Sequence, residues 1–182
     1  MLGPMRDIWH YRGFVQGSIR REIVTQYRGS LLGAAWVLIG PVAMILIYTL
    51  VFSHLMRSRL PGVDSAFGYS IFLCAGLLPW TFFTESLTRL QTVFVANANL
   101  MKKATFPRIC LPIIALGTAG FNFAVITALF LIFLVVSGSF PGPVLLAALP
   151  ALAVQVALAM GFGMLFATLN VFFRDVGQAV TL

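Results

Sequence analysis

One uncharged segment constrains this chain more than any other feature. Residues 109–173, 65 in all, include no Asp, Glu, Lys or Arg. A transmembrane helix needs about 20 apolar residues to cross roughly 30 Å of hydrocarbon, so this segment is too long for one crossing and suits two. Residues 137–143 (SGSFPGP) supply the glycine and proline of a turn between them. We therefore predict spans at about 109–136 and 144–172.

Two further apolar segments come earlier in the chain. Residues 31–56 contain no charged side chain, and residues 67–95 are apolar until Glu85, Arg89 and Gln91. Each segment is long enough to cross a bilayer as a helix. Strands do not fit, because nothing alternates with a period of two and barrel strands are far shorter. We predict an all-α, polytopic integral membrane protein with four transmembrane helices.

Composition also places the chain in the membrane class. Of its 182 residues 60% are hydrophobic and only 9% are charged, and the mean hydropathy is +0.98. Soluble domains carry about 25% charged residues, so this chain could not cover a soluble surface. The net charge of +7 does not indicate nucleic acid as a partner. The cations lie in patches between apolar segments, where anionic lipid headgroups and the positive-inside bias account for them.

The N-terminal segment, residues 1–30, precedes a transmembrane domain of residues 31–182. As a helix, this segment places four apolar side chains on one face, with arginines, a glutamate and a glutamine on the others. An apolar stripe opposite a cationic face suits the plane of a membrane surface, so we predict an interfacial amphipathic helix. The stripe residues, four apart, are Val15, Ile19, Ile23 and Tyr27.

Basic residues near the span ends indicate the orientation. With the N-terminus inside, the opposite side holds only Arg57 and Arg59. The cytoplasmic segments then hold Arg6, Arg12, Arg20, Arg21, Arg28, Lys102, Lys103, Arg108 and Arg174. Nine against two favours a cytoplasmic N-terminus by the positive-inside rule.

Residues 96–108 form a polar, basic loop between the second and third spans. An asparagine is placed to cap a short helix, two lysines give it charge, and a proline ends it. Such a helix suits contact with a cytoplasmic partner, and the alternative is a positive-inside anchor alone. The residues concerned are Asn97 or Asn99, Lys102, Lys103, Pro107 and Arg108.

Glu85 and Arg89 are four residues apart on one predicted helix and can form an ion pair. An ionisable residue within a span is a functional-site candidate, because a charge at the helix centre costs about 2.5–3.5 kcal/mol on insertion scales. Two interpretations stay open. The pair is either a structural pair near the cytoplasmic headgroups or part of the lining of a substrate path.

The sequence contains no P-loop, G-x-S-x-G, H-E-x-x-H or C-x-x-C pattern. We therefore predict no catalytic residue, no metal and no cofactor in this chain. His10 and His54 are isolated, and Cys74 and Cys110 are interpreted as apolar packing residues. The five acids are scattered at Asp7, Glu22, Asp64, Glu85 and Asp175.

Small residues recur at every fourth position in the last two spans, which lets helices approach closely in lipid. We expect these columns to pack within one subunit, with a dimer face as the alternative. Their members are Gly120, Ala124 and Ala128, and then Ala153, Ala157 and Gly161.

Four motifs occur in a familiar order: RREIVTQYRGSLLGAAWVLIGP, GLLPWTFF, NANLMKKATFPRICLP and NVFFRDV. Together they resemble the permease subunits of ABC transporters that export polysaccharides, namely the O-antigen, capsule and teichoic-acid export permeases. The resemblance covers nearly the whole chain. It implies a half-transporter in a bacterial inner membrane, in which two copies form a channel for a polyprenyl-linked glycan. Each copy would bind a separate nucleotide-binding ATPase subunit that holds ATP and Mg.

The resemblance also implies roles for particular residues. The interfacial helix, residues 19–28, and the loop 97–107 would contact the ATPase. The candidate coupling residues are Asn97, Asn99, Lys102, Lys103, Pro107, Arg108, Arg20 and Arg21. The candidate residues of a substrate path are Arg28, Glu85, Arg89 and Trp80. Such permeases have six spans, so we expect this chain to be a piece of a longer protein that lacks the last two.

Three other functions are weighed against polysaccharide export. A permease for drugs or small lipids would have the same general architecture and differ in its cargo. A proton-coupled carrier would need Glu85 to be essential. A lipid-modifying membrane enzyme would need acids or histidines that converge at one membrane face, and the sequence does not bring them together.

Overall fold

A computed structural model describes residues 11–27, 39, 42–44, 46–47, 50–51, 68–103, 107–173 and 175–179. Within these residues the chain is helical and contains no strand, which confirms the predicted all-α class. Apart from the isolated positions just given, the predicted first span, 31–56, lies outside the described residues. Arg28 lies outside them as well.

The described residues include six α-helices and one 3₁₀ helix, in this order along the chain. They are α1 (Arg12–Tyr27), α2 (Gly68–Ala96), α3 (Ala98–Lys103), α4 (Cys110–Val136), a 3₁₀ helix (Gly142–Ala147), α5 (Ala148–Phe172) and α6 (Asp175–Ala179). By length and composition, three stretches of the described chain could each cross a membrane: Ile71–Ala96, Cys110–Val136 and Gly142–Phe172. These stretches overlap the last three predicted spans.

Among the described helices, α2 is the central one. Both α4 and α5 pack on it, while α4 and α5 contact each other little. α2 and α4 are antiparallel, because the start of α2 packs against the end of α4 and the end of α2 packs against the start of α4. One core cluster contains Cys74, Leu78, Phe130 and Leu134. The other, which α5 also joins, contains Leu90, Val93, Leu111, Ala115 and Ala167.

α5 approaches α2 closely at Gly163. A Cβ atom on Gly163 would lie 2.4 Å from Leu90 Cδ1 and 2.6 Å from Leu90 Cβ, so only glycine fits against this side chain. Ala159 and Ala167, four residues to either side, are fully buried. The backbones of α2 and α5 are therefore in contact along a column of small residues.

This buried column is not the one expected from the sequence. Ala153, Ala157 and Gly161 are exposed on α5, and Ala124 and Ala128 are exposed on α4. The expectation that these columns pack within the subunit is therefore wrong for the described chain. A four-residue spacing identifies several parallel columns on one helix, and only the position of the Leu90 side chain decides which of them is buried.

Polar groups within α2 bond to backbone carbonyls. Thr81, Thr84, Thr88 and Thr92 donate their hydroxyl hydrogens to carbonyl oxygens three or four residues earlier. Pro79 has no N–H to donate within the helix. Its own carbonyl oxygen accepts a hydrogen bond from Gln155 Nε2 of α5. These bonds satisfy polar groups in an apolar helix and join α2 to α5.

Two buried amides attach the end of α5 and the short helix α6 to α2. Asn170 Nδ2 donates to the carbonyl oxygen of Gln91 at 2.9 Å, and Gln91 Nε2 donates to the carbonyl oxygen of Gly177 at 3.4 Å. Asn170 is 6% exposed and Gln91 is 1% exposed. The short helix α6 is therefore folded back against α2.

Asn170→Ala should lower the free energy of unfolding by about 1 kcal/mol, because it removes a buried side-chain hydrogen bond. Thr168→Ala is the matched control on the same helix, since its exposed hydroxyl bonds only to the carbonyl of Met164 as part of α5 itself. We expect the control to change stability by less than about 0.5 kcal/mol. Thermal unfolding of the purified protein in detergent measures both. Equal losses would contradict a tertiary role for Asn170.

Candidate functional site

α1 packs lengthwise on the first turns of α4. Val15 is buried against Cys110 and Ile114. A Cβ atom on Gly117, further along α4, would lie 2.5 Å from Ile19 Cδ1, so Ile19 occupies the space that this glycine leaves. Val15 and Ile19, the first two residues of the predicted apolar stripe, therefore face a protein helix. Val24, which is not part of the stripe, is 45% exposed.

The side chain of Arg89 joins α2 to α1. Its Nε donates to Glu85 Oε1 at 2.9 Å within α2. Its two terminal nitrogens donate to α1, one to Glu22 Oε1 at 3.3 Å and the other to Gln26 Oε1 at 3.2 Å. The predicted pair of Glu85 and Arg89 is present, and Arg89 forms a second ion pair with Glu22.

Residues of α4 hold the two carboxylates. The Thr118 hydroxyl has two acceptors for its one hydrogen, Glu22 Oε2 at 2.9 Å and the Ile114 carbonyl oxygen at 3.0 Å. Asn122 Nδ2 donates to Glu85 Oε1 at 2.7 Å. Thr118 is fully buried and Asn122 is 9% exposed. A continuous network therefore connects α1, α2 and α4. We call it the Arg89 network; its members are Glu22, Gln26, Glu85, Arg89, Thr118 and Asn122.

The network lies within the membrane-spanning length of α2. Glu85 is about three turns, or about 16 Å, from the end of this helix at Ala96. The side chains of Arg89 and Glu85 are 22% and 30% exposed. Such a position is costly for a lone charge, and pairing with hydrogen bonds lowers that cost. The three guanidinium nitrogens Nε, Nη1 and Nη2 are all bonded within the protein. A role of the pair in a substrate path stays a prediction.

A groove of about 490 Å³ lies beside the network, between α1 and the last turns of α2. Ser18, Arg21 and Glu22 line it from α1, and Asn97 and Leu100 close it near α3. Arg21 donates a hydrogen bond to Ser18 at 3.0 Å. The two arginines at the groove are balanced by Glu22 and Glu85, so the local charge does not favour an anion.

The short helix predicted in the loop 96–108 is α3. Met101 packs against the core cluster that contains Leu90 and Leu111, while Asn99 and Lys102 are exposed. Asn97, just before α3, donates its side-chain N–H to the carbonyl of Val93 at 2.9 Å. α3 is thus anchored on one face and presents polar residues on the other.

The remaining candidate residues lie in three places. Arg20, Arg21 and Arg108 are exposed. Lys103 is the last residue of α3. The carbonyl oxygen of Pro107 accepts a hydrogen bond of 3.0 Å from the backbone N–H of Cys110, the first residue of α4. Trp80 is 60% exposed beside Phe83, on the opposite face of α2 from Arg89, since nine residues correspond to about 180° of a helix. The structure thus brings Arg21, Arg89 and Asn97 to one groove and separates Trp80 from them.

Four members of the Arg89 network are not among the candidates from the sequence: Glu22, Gln26, Thr118 and Asn122. A signal for two of them is present. Thr118 and Asn122 are polar, lie within the uncharged segment and are four residues apart, which places them on one helix face. In the described residues, no three His, Cys, Asp or Glu side chains gather at a spacing that could hold a metal ion.

Residues 15–182 match the family model of ABC-2 type transporters. The chain belongs to this family. Two O-antigen export system permease proteins RfbA from Klebsiella pneumoniae are each 33% identical to it over 163 residues, covering 89% of this chain and 61% of theirs. The O-antigen export system permease protein RfbA of Myxococcus xanthus is 28% identical over 181 residues, covering 100% of this chain and 67% of its own.

The match to ABC-2 type transporters confirms the family resemblance and the polytopic membrane class. The family region begins at Val15, so it includes α1 as well as the spanning helices. The chain spans about three-fifths of the length of its Klebsiella relatives.

Proposed function

We propose that this chain is the membrane-spanning permease subunit of an ABC exporter for lipid-linked polysaccharide. Its relatives in two organisms are named O-antigen export system permease proteins, and this similarity carries the proposal. The cargo would be a glycan on a polyprenyl pyrophosphate, such as O-antigen, capsule or teichoic acid. A hydrophilic polymer cannot enter hydrocarbon without losing its hydrogen bonds to water, at several kcal/mol for each unpaired polar group, so it needs an enclosed path.

Two copies of the chain would enclose that path in the bacterial inner membrane. The described helices leave a large apolar surface on α5, where Val154, Leu158 and Leu165 are each about half exposed or more. Lipid and a second copy are the two neighbours that suit such a surface. The side chain of Trp80, exposed on α2, is a candidate for contact with sugars along the path.

The energy would come from a separate subunit that binds ATP and Mg and hydrolyses ATP. We assign no catalytic role to this chain. Glu22 of α1 and Glu85 of α2, the two acids of the Arg89 network, both form ion pairs with Arg89. The cytoplasmic N-terminus inferred from the distribution of basic residues would place α1 and α3 on the side where such an ATPase lies.

α1 and α3 together form the proposed contact surface for the ATPase. They lie at one end of the bundle on either side of the same groove. Arg20 and Arg21 on α1 are exposed, as are Lys102 on α3 and Arg108 beside it. Because Met101 anchors α3 to the core cluster of α2, α4 and α5, displacement of α3 would be passed to all three helices.

Lys102→Ala together with Lys103→Ala should uncouple ATP hydrolysis from export. We expect several times more ATP hydrolysed per polymer exported, with membrane insertion unchanged, because the two positive charges of α3 are lost and its Met101 anchor is kept. ATPase activity and polysaccharide at the cell surface, measured in the host strain, give this ratio. Arg59→Ala, a cation assigned to the opposite side, is the matched control. An unchanged ratio in the double variant would contradict the role of α3.

The cargo is tested separately from coupling. If the chain exports drugs or small lipids, its deletion will leave surface polysaccharide intact and raise sensitivity to those compounds. If it is a proton-coupled carrier, Glu85→Gln will abolish transport while removal of the ATPase will not. Loss of surface polysaccharide on removal of either the chain or its ATPase is the result that we expect.

A further inference from the structure

We propose that the Arg89 network is the link that transmits movement of α1 to the spanning helices α2 and α4. This inference rests on the proposed function, in which α1 is part of the contact with the ATPase. Arg89 is then a positioning residue, since it acts through Glu22 and Gln26 on α1. It is not a residue that binds the substrate.

The position of the groove indicates why a link is needed. α1 packs directly on α4 through Val15 and Ile19. Between α1 and the last turns of α2, however, there is an open volume of about 490 Å³, and Arg89 lies in its wall. The hydrogen bonds by which α2 holds Glu22 and Gln26 both come from Arg89. A rotation of α1 on α4 would reach α2 through this side chain.

The geometry of the network orients the Arg89 guanidinium toward α1. The bond from Nε to Glu85, itself held by Asn122, fixes the guanidinium on α2 and points its terminal nitrogens at α1. Thr118 holds the other oxygen of Glu22. A planar guanidinium makes such simultaneous bonds in fixed directions, whereas the ammonium group of a lysine is a compact charge without this fork.

The α1 side of the network is its weaker side. The bonds from Arg89 to Glu22 and Gln26 are 3.3 and 3.2 Å long, against 2.9 Å to Glu85. The Glu22 side chain is 43% exposed, compared with 30% for Glu85. Partly solvated ion pairs are weak, so the contacts with α1 can break and reform while Arg89 stays bound to Glu85.

Arg89→Lys tests the inference, because it keeps the charge and removes the fork. We expect the ATP hydrolysed per polymer exported to rise at least about fivefold, the lower limit of typical coupling between sites. The amount of ATPase that co-purifies with the permease should not change. Arg59→Lys, the same substitution at a cation assigned to the opposite side, should leave the ratio unchanged.

A second measurement reports on α1 itself. Ile19→Cys with Gly117→Cys, in a chain whose Cys74 and Cys110 are replaced by alanine, places two thiols at the contact of α1 with α4. We expect the disulfide to form several times more slowly when Arg89→Lys is added, because α1 is held less firmly. This rate does not depend on transport, so it separates the link from other effects on activity.

The outcomes distinguish the link from the proposed function. If the unmutated permease and its ATPase export polysaccharide and Arg89→Lys changes neither the ratio nor the disulfide rate, the link is refuted and the proposed function stands. If the unmutated permease shows no ATP-dependent export, the proposed function is wrong and the link falls with it. A higher ratio together with slower disulfide formation supports the inference.

Discussion

Gly163→Val should cost about 3 kcal/mol of stability and lower the melting temperature of the detergent-solubilised protein by on the order of 10 °C. The Cβ atom alone would lie 2.4 and 2.6 Å from two carbon atoms of Leu90, and valine adds two methyl groups. Leu90 is fully buried, and its Cβ atom can move only together with the backbone of α2. The backbones of α2 and α5 would have to separate, which disturbs the core cluster that both helices share.

Gly161→Val is the control for this experiment. It makes the same chemical change on the same helix, but no atom lies within 4 Å of the position that its Cβ would occupy. Valine has a somewhat higher helix propensity than the glycine that it replaces, so we expect no loss of stability from Gly161→Val. Leu90→Ala should restore part of the stability of Gly163→Val, because it removes the clashing atoms. Similar melting temperatures for the two valine variants would contradict the close approach of α2 and α5.

Arg89→Leu should have the second largest effect on stability, about 2 kcal/mol. It leaves Glu22 and Glu85 without the cation that both contact, and it exposes each carboxylate to the like charge of the other. The loss is smaller than the 3–5 kcal/mol typical of a fully buried pair, because the side chains are partly exposed. Thermal unfolding in detergent measures it.

Recovery by a second substitution distinguishes charge from packing. Glu85→Gln added to Arg89→Leu removes one of the two unpaired carboxylates and should restore about half of the lost stability. Arg20→Leu, the same change at an exposed arginine of α1, is the control and should change stability by less than about 0.5 kcal/mol. If Arg20→Leu and Arg89→Leu were equally destabilising, the network would contribute nothing specific.

The helices were predictable because their signals are local. The uncharged segment and its glycine- and proline-containing turn place the spans within a few residues of α4 and α5. At that turn Gly138 and Gly142 have φ angles of +67° and +64°, a region that favours glycine. The short helix α3 also follows from local features, namely its position between two spans and its lysines.

The faces of the helices were less predictable, because they depend on residues distant in sequence. Arg89 could be paired with Glu85 from their spacing, but Glu22 is 67 residues away and belongs to a segment expected to lie on the membrane. The buried small-residue column of α5 depends on Leu90 of α2. The partners of Arg89 in α1 could not be read from its spacing on α2 for the same reason.

The central position of α2 has a consequence for the order of assembly. Helices that follow one another in a chain are usually neighbours, and a short turn joins α4 to the segment of α5. Yet α4 and α5 contact each other little, and both depend on α2 for their packing. The hairpin of α4 and α5, which follows α2 in the chain, therefore has little interface of its own. Its two helices reach their final arrangement by docking against a helix that is synthesised before them.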